Sequence, residues 1–169
     1  MKSKYEHIQF IIQRFDHYYD TVNNKGTFYV ALNTFIFGGI CAGYISMHSS
    51  ITMDWLTWAL IGLLLTCCLI SLIYTILAIR PYTKDNHNNK DTASLMFFGG
   101  IARHELQYLK EKMKSQTDEE VTEDAIEQMH CLAKGLTGKF NKLCIASNLL
   151  QVQFLILLPL FFLIVKNLK

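Results

Sequence analysis

WLTWALIGLLLTCCLISLIYTILAI, residues 55–79, runs its full length without a Lys, Arg, Asp or Glu. A helix needs roughly 20 apolar residues to cross about 30 Å of bilayer hydrocarbon, so this stretch is long enough to span a membrane. Two further runs flank it, Phe28–Met47 upstream and Leu143–Val165 downstream, the latter interrupted by Asn148, Gln151 and Gln153. A buried core helix is the competing reading of any single run. Three such runs in 169 residues, 51% of them hydrophobic, point instead to a membrane protein. The first run starts too late and is too long for a secretory signal peptide, so it is expected to stay as an anchor.

Between the second and third runs lies a charged insert, residues 80–142. It holds ten of the sixteen basic and ten of the fourteen acidic residues. A near-neutral segment is neither a polybasic lipid-binding patch nor a surface for a nucleic acid polymer; it reads as a small folded domain. Lys and Arg concentrate on the cytoplasmic side of short flanking segments. The N-terminal tail carries Lys2, Lys4, Arg14 and Lys25, the 48–54 loop has no basic residue, and Lys166 and Lys169 follow the last run. With three spans, the N-terminus and insert are expected in the cytoplasm.

Upstream of the first run, Ile8, Ile12, Phe15, Tyr19 and Val22 recur every three or four residues, the stripe of an amphipathic helix. The polar face is not rich in Lys or Arg, which favours packing on the insert over lying on a membrane surface. A break or bend is expected at Asn23–Gly26. Residues 82–92 (YTKDNHNNKDT) read as loop, and a helix is expected over about Ile101–Ser115 with Leu106, Leu109 and Met113 on one face. Thr117 and Glu120 fit a capping box. After it, Ile126, Met129, Ala133, Leu136, Phe140 and Leu143 form a heptad stripe. One helix is therefore expected from about 118 through the third span, roughly 70 Å long, with Gly135 and Gly138 as points of weakness. The fold class is all-α: three transmembrane helices, an N-terminal amphipathic helix, and a helical cytoplasmic insert continuous with the third span. The expected divisions are 1–26, 27–79, 80–142 and 143–169.

Polar groups inside spans are expensive and find partners. Asn33, Ser71, Thr75, Asn148 and Gln151 fall at a similar depth in the inner leaflet. They are expected to glue the bundle or, in an oligomer, to line a pore as a polar collar. Gly39 and Gly43 form a GxxxG pair that allows close helix approach, either in the hairpin of the first two spans or against another subunit. The five cysteines (Cys41, Cys67, Cys68, Cys131 and Cys144) show no CxxC or Cys/His metal spacing, so reduced packing residues and no metal are expected. The sequence contains no HExxH, GxSxG, Walker A or GxGxxG motif, and neither enzymatic activity nor a cofactor is expected. Gly99-Gly100 before a helix, with Arg103 adjacent, forms either a plain turn or a place for a phosphate.

The stretch Arg14-Phe15-Asp16-His17-Tyr18-Tyr19, then Asn24-Lys25-Gly26 and Asn33, resembles the opening of bacterial Pycsar transmembrane effectors. So do Phe97-Phe98-Gly99 with Ile101-Ala102, and Glu127-Gln128-Met129-His130-Cys131-Leu132-Ala133 leading to Lys139-Phe140. Gly100 stands where that pattern has an acidic residue. The resemblance covers nearly the whole chain and implies antiphage defence. A cognate cyclase makes a cyclic nucleotide, cyclic CMP or cyclic UMP, and the effector binds it and impairs the bacterial inner membrane. Related membrane effectors serve oligonucleotide-signalled systems of the CBASS type. On this reading the partners are the lipid bilayer, the nucleotide and further copies of the chain. A phosphodiester needs cationic or N–H donors, and the candidates are Arg103, His104, His130, Lys134 and Lys139, with Lys25 and Arg80 at the membrane edge. The alternative is a small constitutive membrane scaffold or channel subunit with no nucleotide ligand.

Overall fold

The computed structural model describes residues 4–47, 54–81 and 94–167. Every regular element among them is a helix: α1 Lys4–Met47, α2 Trp55–Ile79, α3 Phe98–Ile101, α4 Leu106–Ser115 and α5 Asp118–Lys166. Three helices, α1, α2 and α5, are long and apolar enough to cross a membrane. The expected 82–92 loop, and all of the 48–54 loop except Asp54, lie outside the described residues.

The chain divides into two compact units. One gathers Met1–Asp20 with Pro81–Gly138, the other Thr21–Arg80 with Lys139–Lys169. Each of α1 and α5 is one unbroken helix that contributes to both.

In the charged unit the N-terminal stripe packs within the chain. Ile8 is buried, Ile12, Phe15 and Tyr19 are half-buried, and the Tyr19 hydroxyl donates to Leu132 O of α5 at 2.9 Å. The start of α5 is held as expected. Thr117 N donates to a Glu120 carboxylate oxygen at 2.9 Å and Glu120 N donates to Thr117 Oγ1 at 3.3 Å. These two bonds satisfy amides that have no partner inside the helix. The helix expected over about 101–115 begins only at Leu106, as α4; Ile101 instead ends the short α3, and 102–105 separate the two. The packing of Gly100 explains the early turn: it lies against the Ser94 carbonyl with no room for a side chain. On α4, Leu109 is half-buried, but Leu106 and Met113 are exposed, so that face is not a buried stripe among the described residues.

In the apolar unit the core gathers Ile36 from α1, Ile61, Leu64 and Cys68 from α2, and Leu150, Ile156 and Leu160 from α5. The break expected at Asn23–Gly26 is absent; α1 runs through it. Gly26 serves packing rather than interruption, because a Cβ there would overlap Ile79 Cγ2 of α2. Gly26→Ala is therefore expected to destabilise the spans by about 1–2 kcal/mol, the lower range of overpacking. Thermal unfolding in detergent micelles checks this, with Gly38→Ala, which meets nothing within 4 Å, as the control that should not destabilise.

The α5 stripe also differs from expectation. Leu136 and Leu143 are buried, but Ile126 and Phe140 are exposed. The buried seam of α5 in this unit runs Lys139, Leu143, Ala146, Leu150, Gln153, Ile156 and Leu160. It follows the helical period through a lysine and a glutamine. Gly39 and Gly43 do not bring the first two spans together: a Cβ on either meets nothing within 4 Å. Of the two roles open to the GxxxG pair, close approach within the hairpin is excluded among the described residues.

Candidate functional site

Both units bring polar groups together. In the apolar unit, three helices meet at Asn33, which is fully buried. Its Nδ2 donates to Ser71 Oγ of α2 at 3.1 Å and to Tyr29 O at 2.8 Å. Its Oδ1 accepts from Gln153 Nε2 of α5 at 2.9 Å. The Ser71 hydroxyl donates to Ala146 O at 3.2 Å, and Thr75 Oγ1 donates to Ser71 O at 2.8 Å. Tyr29 OH donates to Ser147 Oγ at 3.2 Å. Asn33, Ser71 and Thr75 thus lie together, as their depth suggested. Asn148 and Gln151 do not join them; both are exposed. The glutamine that closes the network is Gln153, the residue the apolar count treated as an interruption. Its position on the Leu143–Ala146–Leu150 seam was the available signal. Gln153 Oε1 is buried and finds no donor among the described residues. Leaving such an acceptor unpaired costs about 1–3 kcal/mol.

At the edge of the same unit, Lys139 is 5% exposed and its Nζ donates to Ala78 O at 2.8 Å. Ala78 is next to last in α2, where carbonyls lack intrahelical partners and a cation is favoured. Lys139 is thereby withdrawn from the phosphate candidates: its ammonium closes the end of a helix. Lys139→Ala is expected to lower stability by about 1–2 kcal/mol through the lost cap, measured as a lower melting temperature in micelles. Lys142→Ala, at a position only half-buried, should leave it unchanged.

The charged unit holds a cleft of about 480 Å³ between the N-terminal part of α1 and α5. Tyr5, Gln9, Ile12, Gln13 and Asp16 line it from α1, and Ala125, Gln128 and Leu132 from α5, with Met96 from the segment before α3. That segment is held to α5 by Leu95 N, which donates to Asp124 Oδ2 at 2.9 Å. Beside the cleft, a second hollow on α1 is lined by Phe10, Gln13, Arg14, His17 and Tyr18. Gln13 belongs to both.

The remaining cationic candidates are not gathered. Arg103, His104, His130 and Lys134 lie in the charged unit, Lys25 and Arg80 in the other. Arg103, His130, Lys134, Lys25 and Arg80 are exposed; His104 is half-buried and stacks on Tyr108 with ring centroids 4.7 Å apart. None of them lines the 480 Å³ cleft. Gly100, packed on Ser94, belongs to a turn that is filled from within.

No curated protein and no solved structure gives a significant match to this chain. A family model, the Pycsar effector protein domain, matches residues 7–166. The match takes in both units and all five helices, and it supports an effector role in antiphage defence for a membrane protein whose three long helices are apolar enough to span. The chain belongs to the Pycsar effector protein family.

Proposed function

We propose that this protein is a nucleotide-triggered effector of the bacterial inner membrane. The charged unit, on the cytoplasmic side, binds a cyclic nucleotide made by a cognate cyclase. Several copies of the apolar unit then act together to impair the membrane and arrest the cell. The nucleotide is a switch rather than a substrate. The family match over residues 7–166 is the observation that carries this reading. Two features of the fold support its mechanism. First, α1 and α5 each run unbroken from the charged unit into the apolar one, so a ligand that favours one placement of either helix biases both. A ligand moves such an equilibrium only by its difference in affinity for the two states. Second, the three spans meet at a buried polar network of Asn33, Ser71 and Gln153, whose hydrogen bonds tie the placement of each span to the other two.

A membrane-potential dye in cells expressing the chain with and without a pyrimidine cyclase tests the reading. Depolarisation is expected only when the cyclase is present. Equal depolarisation or equal silence in both strains fits a constitutive scaffold or channel subunit and rejects the proposal.

A further inference from the structure

We infer that the cleft between α1 and α5 in the charged unit reads the base of the nucleotide, and that the base carries an exocyclic amino group; this rests on the function proposed above. The cleft, at about 480 Å³, has the size of a small-ligand site. Its polar side chains are amides and one carboxylate rather than cations: Gln9, Gln13 and Asp16 on α1, Gln128 on α5. Amide side chains offer a donor and an acceptor side by side, the pattern that pairs with the edge of a base. Tyr5 and Met96 supply a ring and a soft apolar surface for its faces.

Asp16 orients the ligand. An ionised carboxylate only accepts hydrogen bonds, so it repels a phosphodiester and favours a base edge rich in donors. The two hydrogens of a cytosine-type amino group suit it. A uracil edge, with carbonyl oxygens on both sides of its single N–H, suits it poorly. The phosphate is expected on the adjoining face of α1, where Arg14 and His17 line the second hollow and Gln13 is shared. The Arg14 guanidinium, exposed there, already donates to Tyr18 OH at 3.2 Å, which holds it along that face.

Calorimetric titration of the full chain in nanodiscs with the 3′,5′-cyclic forms of CMP and UMP tests the assignment, using Gln9→Leu, Gln128→Leu, Asp16→Asn and Lys134→Ala. Wild type is expected to bind cyclic CMP more tightly than cyclic UMP. Each leucine variant should weaken binding about tenfold or more, the scale of one good base contact. Asp16→Asn should narrow the preference between the two nucleotides by a similar factor, and Lys134→Ala should change neither. The melting temperature of each leucine variant should stay at the wild-type value, which separates a lost contact from a folding defect. If wild type binds and the leucine variants bind equally well, or if it prefers cyclic UMP, the cleft assignment is overturned while the effector reading stands. If wild type binds neither nucleotide, the sensing half of that reading fails and the assignment falls with it.

Discussion

Replacing Asn33 with leucine is expected to lower the stability of the span bundle by about 2–3 kcal/mol, whereas Asn148→Leu should be near neutral. The two residues sit at similar depth in the sequence, but only Asn33 is enclosed. Its side chain makes the hydrogen bonds that join all three long helices: to Ser71 of α2 and from Gln153 of α5. Interhelical hydrogen bonds in a bilayer contribute on average about 0.6 kcal/mol each and up to about 1.7. Leucine removes two of them and leaves Gln153 with neither its Nε2 acceptor nor a donor for Oε1. The unsatisfied amide adds a further desolvation penalty of about 1–3 kcal/mol before relaxation. Chemical unfolding of the micelle-embedded protein, followed by far-ultraviolet circular dichroism, measures the difference. An equal loss for Asn33→Leu and Asn148→Leu would show that the network does not hold the bundle. In cells, the same substitution is expected to alter the cyclase dependence of depolarisation, because it changes the balance between span packings.

Gly100→Ala is expected to damage the charged unit by about 3 kcal/mol, the upper part of the overpacking range. An added Cβ meets the Ser94 carbonyl oxygen and lies 3.2 Å from its carbon. These are backbone atoms, so no rotamer change relieves the overlap; the segment from Ser94 to Ile101 must move. Leu95 N, donating to Asp124 Oδ2 of α5, moves with it, and so does Met96 at the cleft. The expected signature is a lower melting temperature together with weaker nucleotide binding. Gly99→Ala is milder, because the atom its Cβ meets belongs to the Phe97 ring, a side chain able to swing away. Equal stability of wild type and Gly100→Ala would rule out this packing of the 94–101 turn. A side chain of any size at position 100 has no space in this packing, because Gly100 lies against the Ser94 backbone.

Apolar periodicity was a partial guide in both units: in the charged unit Leu106, Met113 and Ile126 are exposed despite it. The N-terminal stripe from Ile8 to Tyr19 was legible because, in the charged unit, water drives large apolar side chains inward. The same logic applied to α5 near the spans selected Phe140, which is exposed. In a bilayer the surroundings are as apolar as leucine, so helix contacts select small and polar groups instead. Ala146 and Gln153 therefore face the neighbouring spans while Phe154 and Phe161 face outward. Asn23–Gly26 looked like a break because glycine and asparagine are poor helix formers. The close crossing of α1 and α2 at Gly26 and Ile79 is what makes glycine necessary there.

For the candidate site, cationic residues were the obvious choice for a phosphate ligand, but none of the seven lines the cleft, and Lys139 Nζ donates to a carbonyl at a helix end. The cleft residues Gln9, Gln13 and Gln128 gave no motif, since a neutral amide on a helix surface looks like ordinary solvent-facing polarity. Only the packing of the first turns of α1 against α5 makes them neighbours.

The sequence by itself determined three spans, an unbroken helix from Asp118 into the last of them, its capping box and the family. Each depends on the local order of residues: apolar run length, helical period and short motifs. Which polar residue meets which, which glycine is needed, and where a ligand-sized cleft opens were decided by tertiary structure alone. Those outcomes depend on residues brought together across the fold, such as Asn33 with Gln153, Tyr19 with Leu132 and Gly26 with Ile79, whose meeting is set by how the helices pack.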